Sequence, residues 1–329
     1  MLIKKKVIVT GGAGFIGSHL VELLVKNNYS VIVIDNLITG RLANLKKVKN
    51  KVKFINANVS EYKKIEKNFK NCKYVFHLAG LADVVPSIEE PEKYFATNVK
   101  GTLNVLMASK KYNISKVIYA ASASCYGIVK SFPTSEKTKI STEYPYALTK
   151  YLGEELICHW SKVYNLSSIS LRLFNVYGVR SRTSGAYGAM FGVFLAQIIN
   201  NKPLTIVGNG KQTRDFTYVT DVAKAFYVAA KSKIFHDIFN VGTGKPTTVN
   251  YIAKELGGKV INIPKRPGEP DKSQANIKKI KKKLKWYPTI SIEKGIKIMK
   301  QNINDWKKAP VWTPEKIEEK TKVWFKYLK

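Results

Sequence analysis

Cysteine is scarce in this sequence. The three residues in 329, Cys72, Cys125 and Cys158, have neither disulfide-framework nor metal-ligand spacing. Four scattered histidines add no ligand set, so a structural zinc site is not expected. Long apolar runs are absent, which excludes a membrane-spanning helix. The strand-like pattern begins almost at the first residue and leaves no room for a signal peptide, so a cytoplasmic protein is expected. Acidic residues are few as well, 23 against 56 Lys plus Arg, for a formal charge of +33. The lysines run through the whole chain, with small clusters at Lys4–Lys6 and Lys278–Lys283 and no interleaved aromatics, so no nucleic-acid or membrane partner is expected. The field they make would steer an anionic ligand inward. Low-complexity linkers and solenoid repeats are missing too.

What is present is a 45% apolar chain, ample for a core, with a dense signal at its start. From Val7 to Asn36 an apolar run meets a glycine cluster, then an amphipathic run, then a second apolar run ending in Asp35. That order reads as strand, tight turn, helix, strand. Gly11 makes the turn, Gly14 lets backbone approach a pyrophosphate, and Gly17 lets the helix pack close to the strand. The helix N-terminus then offers unpaired N–H groups and a positive dipole end to the phosphates. Asp35 stands where an acid bonds the adenosine ribose hydroxyls. Its charge repels a 2′-phosphate, which favours NAD over NADP.

Strand patterns recur at Val7–Val9, Val31–Ile34, Val52–Ile55, Tyr74–Leu78, Lys116–Ala120 and Ser168–Leu173, with helical patterns between them, notably Pro91–Lys111 and Tyr146–Tyr164. The alternation predicts an α/β protein with a Rossmann-type, doubly wound parallel sheet and a smaller C-terminal α/β substrate domain. The expected division is 1–175 for the dinucleotide-binding domain and 176–329 for mainly the substrate domain. Within the latter, 216–241 is expected to return to the sheet as a helix and a strand. The basic, amphipathic run from Pro314 to Lys329 is expected to be a terminal helix docked by Trp324 and Phe325.

The chemistry is expected after the fifth strand. There the chain reads AASASCYG, Ala120–Gly127, followed by PYALTK, Pro145–Lys150. Tyr146 and Lys150 are four apart and share a helical face. An ammonium near a phenol favours the phenolate, so Tyr146 can act as general base on a sugar hydroxyl that Ser122 holds. Tyr112 with Lys116, Tyr126 with Lys130 and Tyr227 with Lys231 have the same spacing. Only Tyr146 opens a helix after a Pro, downstream of a serine turn at a strand end.

These residues resemble an extended short-chain dehydrogenase/reductase of the nucleotide-sugar epimerase/dehydratase group. The resemblance covers nearly the whole chain. It runs through TGGAGFIG (Thr10–Gly17), DNL (Asp35–Leu37), HLAG (His77–Gly80), NVKGTLNVL (Asn98–Leu106), YALTK (Tyr146–Lys150), LRLFNVYG (Leu171–Gly178), QTRDFTYVTDV (Gln212–Val222), FNVGTG (Phe239–Gly244) and RPGEP (Arg266–Pro270). On the cofactor side it implies Gly11, Gly14, Phe15, Ile16 and Gly17 around the pyrophosphate of NAD, and Asp35 and Asn36 on the ribose. Asn58 and Val59 would flank adenine, and Leu78, Ala79, Gly80, Asn98 and Phe174, with Tyr146 and Lys150, would contact or brace the cofactor. His77 is expected to be a satisfied strand-end residue. On the substrate side the resemblance implies Asn175, Arg214 and Arg266 on the nucleotide diphosphate, Glu269 on its ribose, and Ser122 and Ser124 by the sugar. An alternative for Arg214 is a surface ion pair with Asp215. Val207 stands where relatives often stack an aromatic ring on the base. A homodimer through the helices around Pro91–Lys111 and Tyr146–Tyr164 is implied as well.

Among the group's reactions, dehydratases carry Asp-Glu after the Ser/Thr of the serine turn, and decarboxylases keep a Glu. This chain has Ala123 and Ser124, which transfer no proton at neutral pH. The remaining set, Ser122, Tyr146, Lys150 and NAD, suits reversible oxidation at C4, and so a UDP-sugar 4-epimerase. The alternatives are a nucleotide-sugar reductase or dehydrogenase with net redox change, or a non-catalytic protein of the same fold. Ser273 stands where a bulky residue restricts such epimerases to plain hexoses. Its small size favours UDP-N-acetylglucosamine and its C4 epimer, with UDP-glucose also accommodated.

Overall fold

The computed structural model describes residues 4–181 and 190–328. Seven parallel strands form the central sheet: β1 (Lys6–Thr10), β2 (Ser30–Asp35), β3 (Val52–Asn56), β4 (Cys72–His77), β5 (Lys116–Ser122), β6 (Ser168–Leu173) and β7 (His236–Val241). Their spatial order is β7-β6-β5-β4-β1-β2-β3. The order reverses between β1 and β4, and ligands of such sheets bind at the carboxyl ends of the strands beside that reversal.

The apolar residues sort by the strand period of two. Val7, Val9, Val31, Val33, Ile118, Ile169 and Leu171 face one layer, against α1 (Phe15–Lys26). Ile8, Ile32, Ile34, Val75, Val117 and Tyr119 face the other. That second layer includes α2 (Val84–Glu89), a helical run α3 made of Pro91–Phe95, π-helical Ala96–Lys100 and Gly101–Lys111, and α4 (Pro145–Tyr164). Pro145 at the first position of α4 gives up an N–H that would be unpaired there, and Asn165 ends the helix in the left-handed conformation at φ 53°.

A third apolar cluster builds the smaller unit. It draws on α5 (Met190–Ile199), α7 (Val249–Leu256) and α8 (Ile292–Gln301), while α6 (Val219–Lys231) packs back on α1. The returning strand is β7, paired with β6 from His236 to Val241. Short pairings join Leu204–Val207 to Val260–Ile263, and Thr213–Arg214 to Thr247–Thr248.

Two buried aspartates hold this unit together. Asp215 accepts from the Thr243 N–H (2.6 Å), the Gly244 N–H (2.9 Å) and the Ala275 N–H (2.9 Å). Asp221 accepts from the Thr289 and Ile290 N–H groups at 2.7 and 2.8 Å. The terminal helix α9 runs Pro314–Tyr327; the Lys329 of the expected run lies outside the described residues. Trp324 docks it, 3% exposed, whereas Phe325 is 43% exposed. Adjacent helical residues point about 100° apart, so the two rings cannot share the buried face.

Candidate active site

One cleft of about 720 Å³ runs along the carboxyl ends of the strands. Its wall starts at the β1–α1 turn. Gly11 sits at φ +68°, and a Cβ there would meet the Ala79 backbone N at 2.6 Å; one on Gly17 would lie 2.1 Å from the Gly11 carbonyl oxygen. Only glycine fits either place, and the result is a cradle of bare backbone facing the cleft beside the N-terminus of α1. Asp35 ends β2 at its far side. Its carboxylate accepts from the Ala13 N–H at 2.9 Å and the Leu37 N–H at 2.8 Å, and burial raises its pKa above the ordinary value while those two bonds pull the other way. The described lining residues beside Asp35 are Asn36, Ile38 and Thr39, none of them a cation, and the Asp35 carboxylate would repel a 2′-phosphate. Bare pyrophosphate cradle and acidic ribose end fit NAD.

Gly14, Phe15, Ile16, Asn36, Asn58, Val59, Leu78, Ala79, Gly80 and Phe174 all open onto this cleft. Asn98 does not. It lies one layer behind, buried, accepting from the Leu81 N–H at 2.9 Å and donating to the Leu81 carbonyl and the Thr149 hydroxyl at 3.0 Å each. Its amide is consumed in bracing the loop after β4 and is not presented to a ligand. His77 is the satisfied strand-end residue expected. Its two ring nitrogens meet the Thr10 and Thr102 hydroxyls at 2.7 and 3.0 Å, and burial, helped by Lys150, lowers its pKa to about 3.

At the middle of the cleft β5 ends in Ser122, which caps the turn Ala123–Tyr126 by accepting from the Ser124 N–H at 3.2 Å. The Tyr146 hydroxyl, from the first turn of α4, lies 3.2 Å from Ser122 Oγ, and Ser124 Oγ lies 2.8 Å from the same Ser122 oxygen. Lys150 follows one turn later on the same face, its ammonium 4.3 Å from the centre of the Tyr119 ring. Burial lowers its pKa to about 7, and Glu154 pulls it back up.

The spacing of Tyr146 and Lys150 predicts a lowered Tyr146 pKa, but in this structure burial dominates and raises it. The Ser122 hydroxyl opposes that rise, and the Asp83 carboxylate adds to it. A buried phenol reaches its anionic form only with added positive charge. Of the other pairs with this spacing, Tyr227 and Lys231 do meet, at 3.5 Å, but on the exposed surface.

The far end of the cleft gathers Asn175, Arg214, Arg266, Glu269 and Ser273, with Val207 in the same wall. Arg214 Nη2 and Arg266 Nη1 stand 3.6 and 3.9 Å from the same Glu269 oxygen. The alternative pairing of Arg214 with Asp215 does not form, because Asp215 is turned into the three backbone N–H groups that hold it. Sequence reasoning missed Asp83, Phe132, Tyr144, Lys272, Ile317 and Trp324, which also line the cleft. Tyr144 had a signal: it stands two residues before Tyr146, and the two rings stack 6.3 Å apart with a 10° interplanar angle.

Fold and site together define a dinucleotide-binding α/β enzyme whose cleft brings Ser122, Tyr146 and Lys150 together at the strand ends and Arg214 and Arg266 beside Glu269 at its far end. Residues 7–242 match the NAD dependent epimerase/dehydratase family, and the chain belongs to that family. A putative UDP-glucose 4-epimerase of Methanocaldococcus jannaschii is 41% identical over 299 residues, covering 88% of this chain and 96% of the relative. Among solved structures, the UDP-N-acetylglucosamine 4-epimerase of Methanobrevibacter ruminantium, in complex with UDP-N-acetylmuramic acid, superposes with a TM-score of 0.86 at 32% identity, covering 92% of this chain and all of that one. The UDP-glucose 4-epimerase of Thermotoga maritima with UDP-glucose does so at 0.86 and 35%, covering 92% and 99%. No described helix is long and apolar enough to cross a membrane.

Proposed function

We propose that the protein is an NAD-dependent 4-epimerase of UDP-sugars, acting on a UDP-N-acetylhexosamine and also on the plain hexose. The observation that carries this reading is the 3.2 Å approach of Tyr146 to Ser122, with Ala123 and Ser124 following. NAD bound along the glycine cradle supplies a reversible hydride acceptor for C4. Ser122 holds the C4 hydroxyl by a hydrogen bond, and Tyr146 takes its proton as C4 is oxidised. Lys150 in its charged form favours the phenolate. After the 4-keto sugar turns over, Tyr146 returns the proton while C4 is reduced on its other face. The turn after Ser122 holds no carboxyl to eliminate water, so re-reduction is the outcome left.

Arg214 and Arg266 are assigned to the diphosphate, whose oxygens their planar forks suit, and Asn175 and Glu269 to the nucleotide beside them. Ser273 is assigned to the sugar's C2 substituent, where its small side chain leaves room for an acetamido group. The solved UDP-N-acetylglucosamine 4-epimerase relative supports that preference. Exposed Met107, Leu148, Val163 and Tyr164 on α3 and α4 support a homodimer through those helices. Free Cys72, Cys125 and Cys158 suit a reducing cytoplasm.

The test is incubation of the NAD-loaded protein with single UDP-sugars, reading C4 configuration by NMR. The expected result is an equilibrium mixture of C4 epimers with no net NADH. Stoichiometric NADH would favour a dehydrogenase instead.

A further inference from the structure

The terminal helix α9 lies beyond the residues 7–242 that match the family, yet it forms part of the cleft wall. Thr313 caps it, accepting from the Lys316 N–H, and Gln197 fixes the approach to it by donating to the Trp312 carbonyl at 2.7 Å. Ile317 and Trp324 are seven residues apart and so share one helical face. Both are buried and both open onto the cleft, while α9 also packs on α2 beside the loop that follows β4. The helix therefore touches both α2 and the loop carrying Arg266.

Trp324 contacts this loop and Tyr144 there. Its indole N–H donates to the Pro267 carbonyl at 2.6 Å, its ring lies 5.9 Å from the Arg266 guanidinium carbon, and the Tyr144 ring centre is 6.3 Å away. The first two act on one short loop. An aromatic face draws a guanidinium toward it, and a bond to the neighbouring carbonyl fixes the backbone from which that guanidinium projects. Packing alone would need neither the directed N–H nor the cation over the ring.

We propose that Trp324 is a positioning residue for substrate. It holds Arg266 and its loop at the place where the guanidinium meets a nucleoside diphosphate, so that α9 belongs to the active site. This rests on the nucleotide-sugar reading above. It predicts that a ligand's diphosphate half is sufficient to sense the tryptophan.

The experiment is calorimetric titration of UDP into the NAD-loaded full-length protein. The variants are Trp324→Ala, Trp324→Phe, Arg266→Ala and the Arg266→Ala/Trp324→Ala double. Trp324→Ala is expected to weaken UDP binding about ten-fold, with Trp324→Phe showing a smaller loss because it keeps a ring but no N–H. The double variant is expected to bind no more weakly than Arg266→Ala alone, since Trp324 acts through Arg266. Wild-type affinity in Trp324→Ala overturns the proposal, and so does a double variant weakened by the full product of the two singles. Should Trp324→Ala not fold, Trp324→Phe decides, and unchanged affinity there overturns the proposal. If the wild-type protein itself fails to bind UDP, the nucleotide-sugar reading falls, and this inference falls with it.

Discussion

Arg172 on β6 closes on Glu154 of α4, its Nε 3.1 Å from each carboxylate oxygen, with both side chains buried. Arg172 Nη1 also donates to the Tyr126 hydroxyl at 2.9 Å, and Tyr126 donates to Asn240 of β7 at 2.7 Å. One ion pair thus ties the serine turn, the helix carrying Tyr146, and two strands into a single unit. Glu154 is also one helical turn beyond Lys150, and its charge raises the lysine's pKa against burial. Replacing it by Gln removes that support, so the Lys150 pKa falls below about 7. Activity that needs the ammonium is then lost at lower pH, and the alkaline limb of kcat is expected to move down by about one pH unit. The guanidinium left without its anion is expected to cost about 3 kcal/mol, read by urea denaturation. A pH profile identical to wild type would show that Glu154 does not govern Lys150.

Lys150 itself costs the fold. Its pKa is depressed from 10.5 to about 7, so between those values the unfolded chain binds more protons than the folded one. By linkage the ligand-free protein gains stability as pH rises through that window and has lost the gain below it. Lys150→Met, similar in length and uncharged, is therefore expected to raise the Tm of the NAD-free protein at neutral pH by about 2–4 °C while abolishing epimerisation. A Tm equal to or below that of wild type would show that burial of this charge is not costly.

The sheet was legible from sequence because short apolar runs, β-branched throughout in Val7–Thr10 and Val31–Ile34, alternate with helical patterns, and the period of two sorts residues such as Val7 and Ile8 to opposite faces. The glycine cradle was legible because it depends on spacing within one strand–turn–helix segment, and Tyr146 with Lys150 because they open one helix after a Pro, downstream of the strand that ends in Ser122. Less of the rest was legible. The bracing role of Asn98 was read from the resemblance, but its place one layer behind the cleft wall, on a π-helical turn, was not. Asp215 and Asp221 sit in a motif that reads as functional, yet both are consumed by backbone N–H groups of remote loops. Trp324 and Phe325 are equivalent as hydrophobic residues, and only tertiary packing decides which one enters the cleft wall. The direction of the Tyr146 pKa shift depends on burial, which spacing does not report.

Tyr146→Phe keeps the ring and its stacking on Tyr144 but removes the hydroxyl 3.2 Å from Ser122. Loss of a general base is expected to lower kcat by about 10²–10⁴-fold while bound NAD is retained. Ser122→Ala leaves the base in place and removes the group that orients the hydroxyl, so a smaller loss, about ten- to a hundred-fold, is expected. Equal kcat in wild type and Tyr146→Phe would remove the phenol from the mechanism.

Ser273 is part of the cleft wall, and its N–H is fixed by the Thr213 carbonyl at 3.1 Å. Its backbone is therefore held while its side chain bounds the space. Ser273→Tyr adds a ring where the acetamido group is assigned. Turnover of UDP-N-acetylglucosamine is expected to fall at least about a hundred-fold, while UDP-glucose is expected to stay within a few-fold, because steric exclusion acts on the larger substrate alone. Parallel kcat/KM measurements on the two substrates check this, and equal losses would place Ser273 away from C2.

Gly17 separates the cofactor's demands from those of the fold. A Cβ there would lie 2.1 Å from the Gly11 carbonyl oxygen and 2.8 Å from the Gly12 Cα, both backbone atoms with no rotamer to escape into. Gly17→Ala must therefore push α1 away from the β1 turn, and the displacement opens the cradle to which the pyrophosphate is assigned. Overpacking of this kind is expected to cost about 1–3 kcal/mol of stability. NAD content after purification is expected to drop steeply, and with it all turnover. Because Tyr146, Ser122 and Lys150 are untouched, added NAD at high concentration is expected to restore part of the activity, which separates a damaged cradle from a damaged centre. Full NAD occupancy in Gly17→Ala would show that the pyrophosphate does not rest on this turn.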